Sequence, residues 1–205
     1  MSYISGEVVS GCYSQGFLPG KLEQLIGPFR TSPIGLVPKP SSDKFRMIQN
    51  LSFLWNDPKF SSVNSNINSN DFPTMWGIFN STAKLILSLL DGCLAATFDV
   101  STAYWITPAD PKQQNSLCIF WEGKVYVDRA VMFRLSSSAG VFGSITDMLV
   151  AIYQVAGFCP LTKWVDNLFV IWLPHHSWTE QEFILLTADI GVSWSLVKLR
   201  PLASV

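Results

Sequence analysis

The order of strand-forming and helix-forming segments is the sequence feature that most constrains the fold of this chain. Ile34–Val37, Phe45–Ile48 and Leu94–Asp99 are short segments typical of strands. Hairpins and helices follow them along the chain, whereas a parallel sheet needs a helical crossover between successive single strands. This order predicts an α+β fold: an antiparallel sheet with helices packed on one face.

Two β-hairpins are predicted from apolar runs on either side of a short turn. The first turn is Glu122-Gly123 and the second is Asp166-Asn167. Asp and Asn tolerate the positive φ angles that a two-residue turn needs, so both are placed at a hairpin tip. The paired runs are Ser116–Trp121 with Lys124–Val131, and Leu161–Val165 with Leu168–Leu173.

Three helices are predicted from their end signals. The first is capped by Asp71, carries Pro73 in its first turn and ends before Gly92. The second runs from Ser136–Ser138 to about residue 157. The third begins with a capping box at residues 177–180 and stops at Gly191.

Composition excludes several classes of protein. The 205 residues are 48% hydrophobic and 14% charged, with a net charge of −1, which excludes a largely disordered chain. The four scattered cysteines form no CxxC pair, so we expect core thiols in a reducing compartment rather than a disulfide framework. No strongly basic surface is expected, which argues against nucleic-acid binding.

The high mean hydropathy of +0.27 raises the question of a membrane. The longest apolar stretch, Met148–Leu161, is shorter than the roughly 20 residues of a membrane span. The N-terminal segment lacks the basic start and apolar centre of a signal peptide. We therefore expect an intracellular protein without a membrane partner, and a small membrane-associated protein is the alternative.

Two aspartates stand at the ends of apolar strands. Asp99 ends Leu94–Asp99, and Asp166 lies at the tip of the second hairpin. If these strands are neighbours in one sheet, both carboxylates emerge at the same edge, where paired carboxylates suit Mg²⁺. Aspartates also end strands and fill turns for structural reasons alone, and the spacing leaves both interpretations open.

The residues around these aspartates resemble the motifs of the reverse transcriptase domain of retroelements, especially those of fungal genomes. The resemblance runs in the family's order from about residue 27 to the C terminus. It implies a fingers-like region at residues 1–92, with a polar loop at 61–71, and a palm-like region at residues 93–205. The matching segments are Ser32–Lys39, Lys44–Ile48, Asn50–Ser52, Phe98–Tyr104, Phe120–Tyr126, Phe133–Phe142, Trp164–Asn167, and Gly191–Trp194 with Lys198.

The resemblance implies RNA-directed DNA polymerisation by two-metal nucleotidyl transfer. Asp99, Val100 and Asp166 would be the ligands of two Mg²⁺ ions, for which Mn²⁺ could substitute. Asn167 would complete the catalytic hairpin, and Lys198 would protonate the pyrophosphate leaving group.

The resemblance also implies a binding site for a deoxynucleoside triphosphate and for an RNA or DNA template with its primer. Lys44 and Arg46 would contact the triphosphate, since cations suit phosphate oxygens. Tyr104 would lie under the sugar and exclude a 2′-hydroxyl. The residues that would line the nucleotide and template are Phe133, Ser137, Ser138, Ala139 and Gly140.

Three residues depart from the family's pattern at the catalytic centre. Asn167 replaces the second aspartate of the hairpin, Arg134 stands where glycine is usual, and Trp105 replaces a basic residue. By typical domain sizes, 205 residues are too few for fingers, palm, thumb and an RNase H domain together, so we expect the last two to be absent and the chain to be compatible with a piece of a larger polyprotein. We expect a degenerate, inactive fragment; the alternative is a non-catalytic retroelement remnant with residual nucleic-acid binding.

Overall fold

A computed structural model describes residues 3–39, 43, 45–54 and 59–205. The chain forms two compact units, the first from Met1–Asp71 and Thr107–Ser138, the second from Phe72–Ile106 and Ala139–Val205. This division differs from the predicted boundary after residue 92, because each unit is assembled from two separated stretches of chain. The fingers-like and palm-like assignments stay predictions.

Helices and strands alternate irregularly along the chain. In order they are α1 (Tyr3–Val9), α2 (Pro19–Ile26), β1 (Ile34–Pro38), β2 (Phe45–Gln49), α3 (Phe79–Leu87), β3 (Leu94–Asp99), β4 (Cys118–Trp121), β5 (Lys124–Val127), α4 (Ser138–Val155), β6 (Leu161–Trp164), β7 (Asn167–Trp172), α5 (Glu180–Leu185) and β8 (Arg200–Ser204). Helices α1 and α2 and strand β8 carry weak sequence signals and were not predicted.

The first unit contains two antiparallel hairpins, β1–β2 and β4–β5. The turn of β4–β5 is the predicted one: Glu122 and Gly123 have φ values of 48° and 75°, as a type I′ turn requires. Buried Cys118, Val125 and Val127 pack against Leu22 of α2 in a core of this unit. The predicted hairpin around Glu122-Gly123 is therefore confirmed, and the two strands predicted at Ile34–Val37 and Phe45–Ile48 pair with each other.

The second unit is built on a four-stranded antiparallel sheet in the order β6-β7-β3-β8. Alternate residues of β3 and β7, such as Phe98 and Val170, turn to one face and pack against α4 and α5. Phe183 of α5 stacks on Phe98 at 4.0 Å between ring centroids and on Tyr153 of α4 at 3.9 Å. The predicted fold class, an antiparallel sheet with helices on one face, is confirmed.

The first predicted helix starts later than expected. Helix α3 begins at Phe79, and residues 72–78 are not helical. In this segment the Gly77 N–H donates to the Lys163 carbonyl of β6 at 2.8 Å. A side chain at Gly77 would overlap Thr162, so only glycine allows this approach. Pairing of this segment with β6 is therefore preferred over the helix that Asp71 and Pro73 indicate locally.

The N-cap of the last predicted helix lies two residues later than expected. Thr179, not Ser177, caps α5: its hydroxyl accepts from the Glu182 N–H, and the Glu182 carboxylate accepts from the Thr179 N–H. Helix α5 is short, and a 3₁₀ turn continues it to Gly191 at φ 81°. The helix itself therefore ends at Leu185, earlier than the predicted stop, and Gly191 ends the 3₁₀ turn instead.

By length and composition alone, α4 could cross a membrane, with 18 residues and a mean hydropathy of 1.2. It is the single such helix in the described part of the chain. Its Phe142, Leu149 and Tyr153 are almost completely buried in the core of the second unit. These contacts place one face of α4 in that core, while 39% of the helix as a whole is buried.

Candidate active site

Strands β3 and β7 bring the two predicted aspartates to the same edge of the second unit's sheet. The strands are antiparallel neighbours, and Asp99 lies opposite Asn167 in their register. The ladder continues one step further, where the Val100 N–H donates to the Asp166 carbonyl at 2.7 Å. Asp99 ends β3 and Asp166 immediately precedes β7, so the prediction that neighbouring strands of one antiparallel sheet bring these residues to the same edge is confirmed.

The turn that carries Asp166 is shifted by one residue from its predicted position. Trp164 pairs with Asn167, so the two turn residues are Val165 and Asp166, and Asn167 belongs to β7. Val165 takes φ 54°, which is rare for a β-branched residue and costs of order 1–3 kcal/mol. The side chain of Asn167 donates from Nδ2 to Asp166 Oδ1 at 3.2 Å.

Lys198 binds Asp99 directly. Its Nζ lies 2.8 Å from Oδ1 and 2.9 Å from Oδ2, so the ammonium contacts both carboxylate oxygens. The Asp99 side chain is 6% exposed and that of Lys198 is 62% exposed. The sequence singled out both residues, but at a separation of 99 residues it carried no signal that they pair.

Backbone contacts fix the segment that carries Lys198. The Ser195 N–H donates to the Asp99 carbonyl at 2.8 Å, and the Lys198 N–H donates to the Ser195 carbonyl at 3.0 Å. Trp194, one residue earlier, forms an isolated antiparallel bridge with Val100. Sequence reasoning missed the roles of Trp194 and Ser195, because only long-range backbone pairing reveals them.

Burial and neighbouring charges shift the pKa values of two residues of the site, Asp166 and Tyr104. Burial raises the pKa of Asp166, and the negative charge of Asp99 raises it further, whereas Lys198 acts in the opposite direction. Burial and the charge of Asp166 together raise the pKa of the half-buried Tyr104. Asp166 is thus influenced by Asp99 and Lys198 and in turn influences Tyr104, while the catalytic and binding roles of these residues stay predictions.

The donor set of this site does not match two divalent metal ions. Within the described residues, no group of three or more His, Cys, Asp or Glu side chains is arranged to hold a metal ion. Asp99 and Asp166 supply two carboxylates, but Asn167 supplies no charge, and both oxygens of Asp99 already contact Lys198. The ammonium thus occupies the side of the Asp99 carboxylate on which both oxygens could chelate a cation.

The predicted substrate-binding residues are divided between the two units. Tyr104, Ala139 and Gly140 belong to the second unit with the aspartates, and the Tyr104 ring lies 5.2 Å from that of Phe142. Lys44 lies outside the described residues. The remaining predicted residues, Arg46, Phe133, Ser137 and Ser138, belong to the first unit.

Several of these residues have side chains engaged within their own unit. The buried Ser138 hydroxyl donates to the Met132 carbonyl, and Ser137 is also buried. A side chain at Gly140 would overlap the Phe72 carbonyl oxygen, so this glycine allows a close approach of two chain segments. Phe133 and Ala139 are exposed. The predicted role of residues 137–140 in lining a nucleotide stays a prediction.

Solved structures similar to this chain are protease-reverse transcriptases of foamy virus. The foamy viral protease-reverse transcriptase dRH in complex with ds DNA aligns with 98% of this chain, at a TM-score of 0.65 and 19% identity. The native Prototype Foamy Virus enzyme aligns with 97%, at 0.59 and 18%, and the foamy viral complex with an RNA/DNA hybrid with 97%, at 0.65 and 18%.

This chain spans only 31%, 23% and 23% of those three chains, respectively. No protein-family model and no curated protein matches it. At such identities the likeness shows the architecture, while function depends on the site residues. The chain therefore has a reverse transcriptase-like fold.

Proposed function

We propose that this chain is a fingers-and-palm fragment of a reverse transcriptase-related polymerase domain, of the retroelement type and catalytically dead or nearly so. Its ancestral reaction is template-directed addition of deoxynucleotides to a primer 3′ end. The observation that carries the proposal is the placement of Asp99 and Asp166 at one edge of an antiparallel sheet in a reverse transcriptase-like fold.

Nucleic-acid partners follow from the same comparison. Two of the similar structures are complexes with ds DNA and with an RNA/DNA hybrid. We infer that the ancestral partners of this chain were an RNA or DNA template with a primer and deoxynucleoside triphosphates. The small share of those chains that it spans is compatible with one segment of a larger polyprotein.

The metal chemistry of the ancestral reaction supports inactivity of the present chain. Two Mg²⁺ or Mn²⁺ ions would neutralise the triphosphate and activate the primer hydroxyl, with Asp99, Val100 and Asp166 as ligands. Such ions need a dense negative cluster, because Mg²⁺ gives up its water reluctantly. Asn167 removes one charge from this cluster, and Lys198 cancels another.

The roles proposed for the other residues follow the family's motifs. Tyr104, beside Asp166 in the second unit, is proposed to lie under the sugar. Arg46 and Lys44 are proposed to contact the triphosphate. The nucleotide and template are proposed to lie along Phe133 and residues 137–140.

Primer extension on an RNA template tests the proposal, first with Mg²⁺ and then with Mn²⁺. The natural chain is compared with Asn167→Asp and with Asn167→Asp combined with Arg134→Gly, each with a thumb domain supplied. We expect no extension from the natural chain and weak extension from the double variant. Adding Asp99→Asn to the double variant is the matched control and must abolish any product.

Robust extension by the natural chain would contradict the proposed inactivity. If no folded variant extends the primer, the polymerase interpretation would describe only the ancestry of this chain. The alternative is a non-catalytic remnant that still binds nucleic acid. The neutralisation of the Asp99 charge by Lys198 favours this alternative. It predicts binding of an RNA/DNA hybrid by the natural chain that weakens as salt increases.

A further inference from the structure

We propose that Lys198 is an internal cation that occupies the metal-binding face of Asp99, so that divalent metal ions must displace it to bind. The inference concerns the same site and rests on the proposed function only in taking Asp99 and Asp166 as the cation-binding pair. Lys198 would therefore set the affinity of the site for metal ions, a role distinct from protonating a leaving group.

The contact geometry supports this role. The ammonium lies almost equally close to both Asp99 oxygens, at 2.8 and 2.9 Å, which is the side of the carboxylate that a chelated cation would use. The carboxylate is nearly buried, and a buried charge is costly unless a partner of opposite sign is present. In this structure the ammonium is that partner.

The local backbone keeps the ammonium at the site. The Ser195 N–H is bonded to the Asp99 carbonyl, and a tight turn joins Ser195 to Lys198. Lys198 thus follows closely after Ser195, whose backbone is bonded to that of Asp99, and this tether gives the ammonium a high effective concentration at the carboxylate. A metal ion from solution has no such advantage.

The exposure of the lysine makes displacement feasible. The Lys198 side chain is 62% exposed, so it can withdraw into water without disturbing a packed core. Asp166 stays next to the end of β3, because the Val100 N–H donates to the Asp166 carbonyl at 2.7 Å. With Lys198 withdrawn, two adjacent carboxylates face the cation, whereas with Lys198 in place only one net negative charge remains.

Mn²⁺ binding to the protein alone, followed by electron paramagnetic resonance, tests the inference. We expect Lys198→Gln to bind Mn²⁺ about tenfold more tightly than the natural chain, because a nearby positive charge is removed. Lys198→Arg keeps the charge and should bind as weakly as the natural chain. Lys84→Gln, at an exposed lysine of the same unit, is the matched control and should change nothing.

Adding Asp99→Asn to Lys198→Gln should abolish the gained affinity. Equal Mn²⁺ affinity of the natural chain and Lys198→Gln would overturn the inference. Because no nucleotide or primer is present, this outcome is independent of primer extension. Tighter Mn²⁺ binding by Lys198→Gln without extension by any repaired variant would support the inference and leave the polymerase interpretation as ancestry alone.

A second measurement needs no substitution. Lysine acylation, mapped by mass spectrometry, reports how freely each ammonium reacts. Saturating Mn²⁺ should increase the acylation rate of Lys198 severalfold and leave that of Lys84 unchanged. An unchanged rate at Lys198 in the presence of bound Mn²⁺ would contradict displacement.

Discussion

Asp128 is an unusual acid of the first unit, although no motif singles it out. Its side chain is 1% exposed. Oδ1 accepts a hydrogen bond from the Ala130 N–H at 3.0 Å, whereas Oδ2 has no hydrogen-bond partner in the described part of the chain. Burial, reinforced by the charge of Glu7, raises the pKa of Asp128 to about 7. The folded chain therefore favours the protonated acid.

The raised pKa of Asp128 predicts that the stability of the folded chain falls as pH increases. The folded state holds this proton up to about pH 7, whereas the unfolded state releases it near pH 4. The contribution of Asp128 is therefore fully present below pH 4 and is lost between about pH 4 and 7. We expect Asp128→Asn to remove this pH dependence and to be more stable at pH 8 by about 2–4 kcal/mol.

Urea unfolding between pH 4 and 8 measures this difference. Asp110→Asn, at an exposed acid of the same unit, is the control and should follow the natural chain at every pH. Parallel stability profiles for Asp128→Asn and the natural chain would show that the acid is solvated.

At the scale of elements, helix α4 is joined to its surroundings by glycines and by one buried lysine. Gly140 and Gly143 lie where segment 72–74 crosses the helix: a side chain would meet the Phe72 carbonyl oxygen at the first position and Thr74 at the second. The Lys163 Nζ of β6 donates to the Gly143 carbonyl at 2.7 Å and lies 2.6 Å from Asp147 Oδ1.

Gly140→Ala should destabilise the second unit by about 2–3 kcal/mol. The added methyl group would overlap a backbone oxygen, which cannot rotate away as a side chain can, so two segments must separate. Gly20→Ala, in helix α2 with open space around it, should be neutral or stabilising by up to about 1 kcal/mol. The midpoints of urea denaturation compare the two, and equal values would show that segment 72–74 yields easily.

Lys163→Met should also weaken the second unit, by about 2–4 kcal/mol. The lysine is 5% exposed and bridges three elements through Gly143, Thr146 and Thr74. Methionine fills the same volume but leaves these oxygens without their donor. Thermal denaturation of Lys163→Met is compared with Lys84→Met, at an exposed lysine, which should stay within about 0.5 kcal/mol of the natural chain. A small effect at both positions would mean that water replaces the ammonium.

Element types were predictable here, and element ends were less so. The hairpin around Glu122-Gly123 and the helix α4 could be predicted because in each the hydrophobic pattern and the signals at its turn or ends indicate the same structure. At residues 164–167 they disagree: local propensity favours Asp166-Asn167 as the turn, but the pairing of Trp164 with Asn167 places Val165 there instead. Burial of the strand faces sets this register, and it stabilises the hairpin although Val165 takes a strained positive φ in the turn.

At the scale of the whole molecule, the fold class followed from the order of segments, whereas Asp99 and Asp166 were expected to meet only if their strands were neighbours in one sheet. The division into two units could not be predicted, since it depends on contacts between distant parts of the chain. Residues 107–138 complete the first unit: Leu117 and Met132 pack with Leu51 and Val63, and Val125 pairs with Phe17.

Contiguous pieces of the chain should therefore fail to fold. We expect a fragment of residues 1–71 to give the poorly dispersed amide spectrum of an unfolded peptide, because half of each of its cores is missing. Joining residues 1–71 to residues 107–138 through a Gly/Ser linker should restore dispersed signals. Nuclear magnetic resonance distinguishes the two, and a folded 1–71 fragment would contradict the division.

Because each unit is made of two separated stretches of chain, the units cannot fold as soon as their first stretch has been synthesised. A nascent polypeptide leaves the ribosome from its N terminus, so residues 1–71 must wait for residues 107–138 before their cores can close. At ordinary elongation rates this delay is on the order of ten seconds. Strand β3 waits longer, because its second neighbour, β8, ends at Ser204. Apolar segments of the first unit thus stay open to chaperones until residues 107–138 have been made, and those of the second unit until translation of these 205 residues is almost complete.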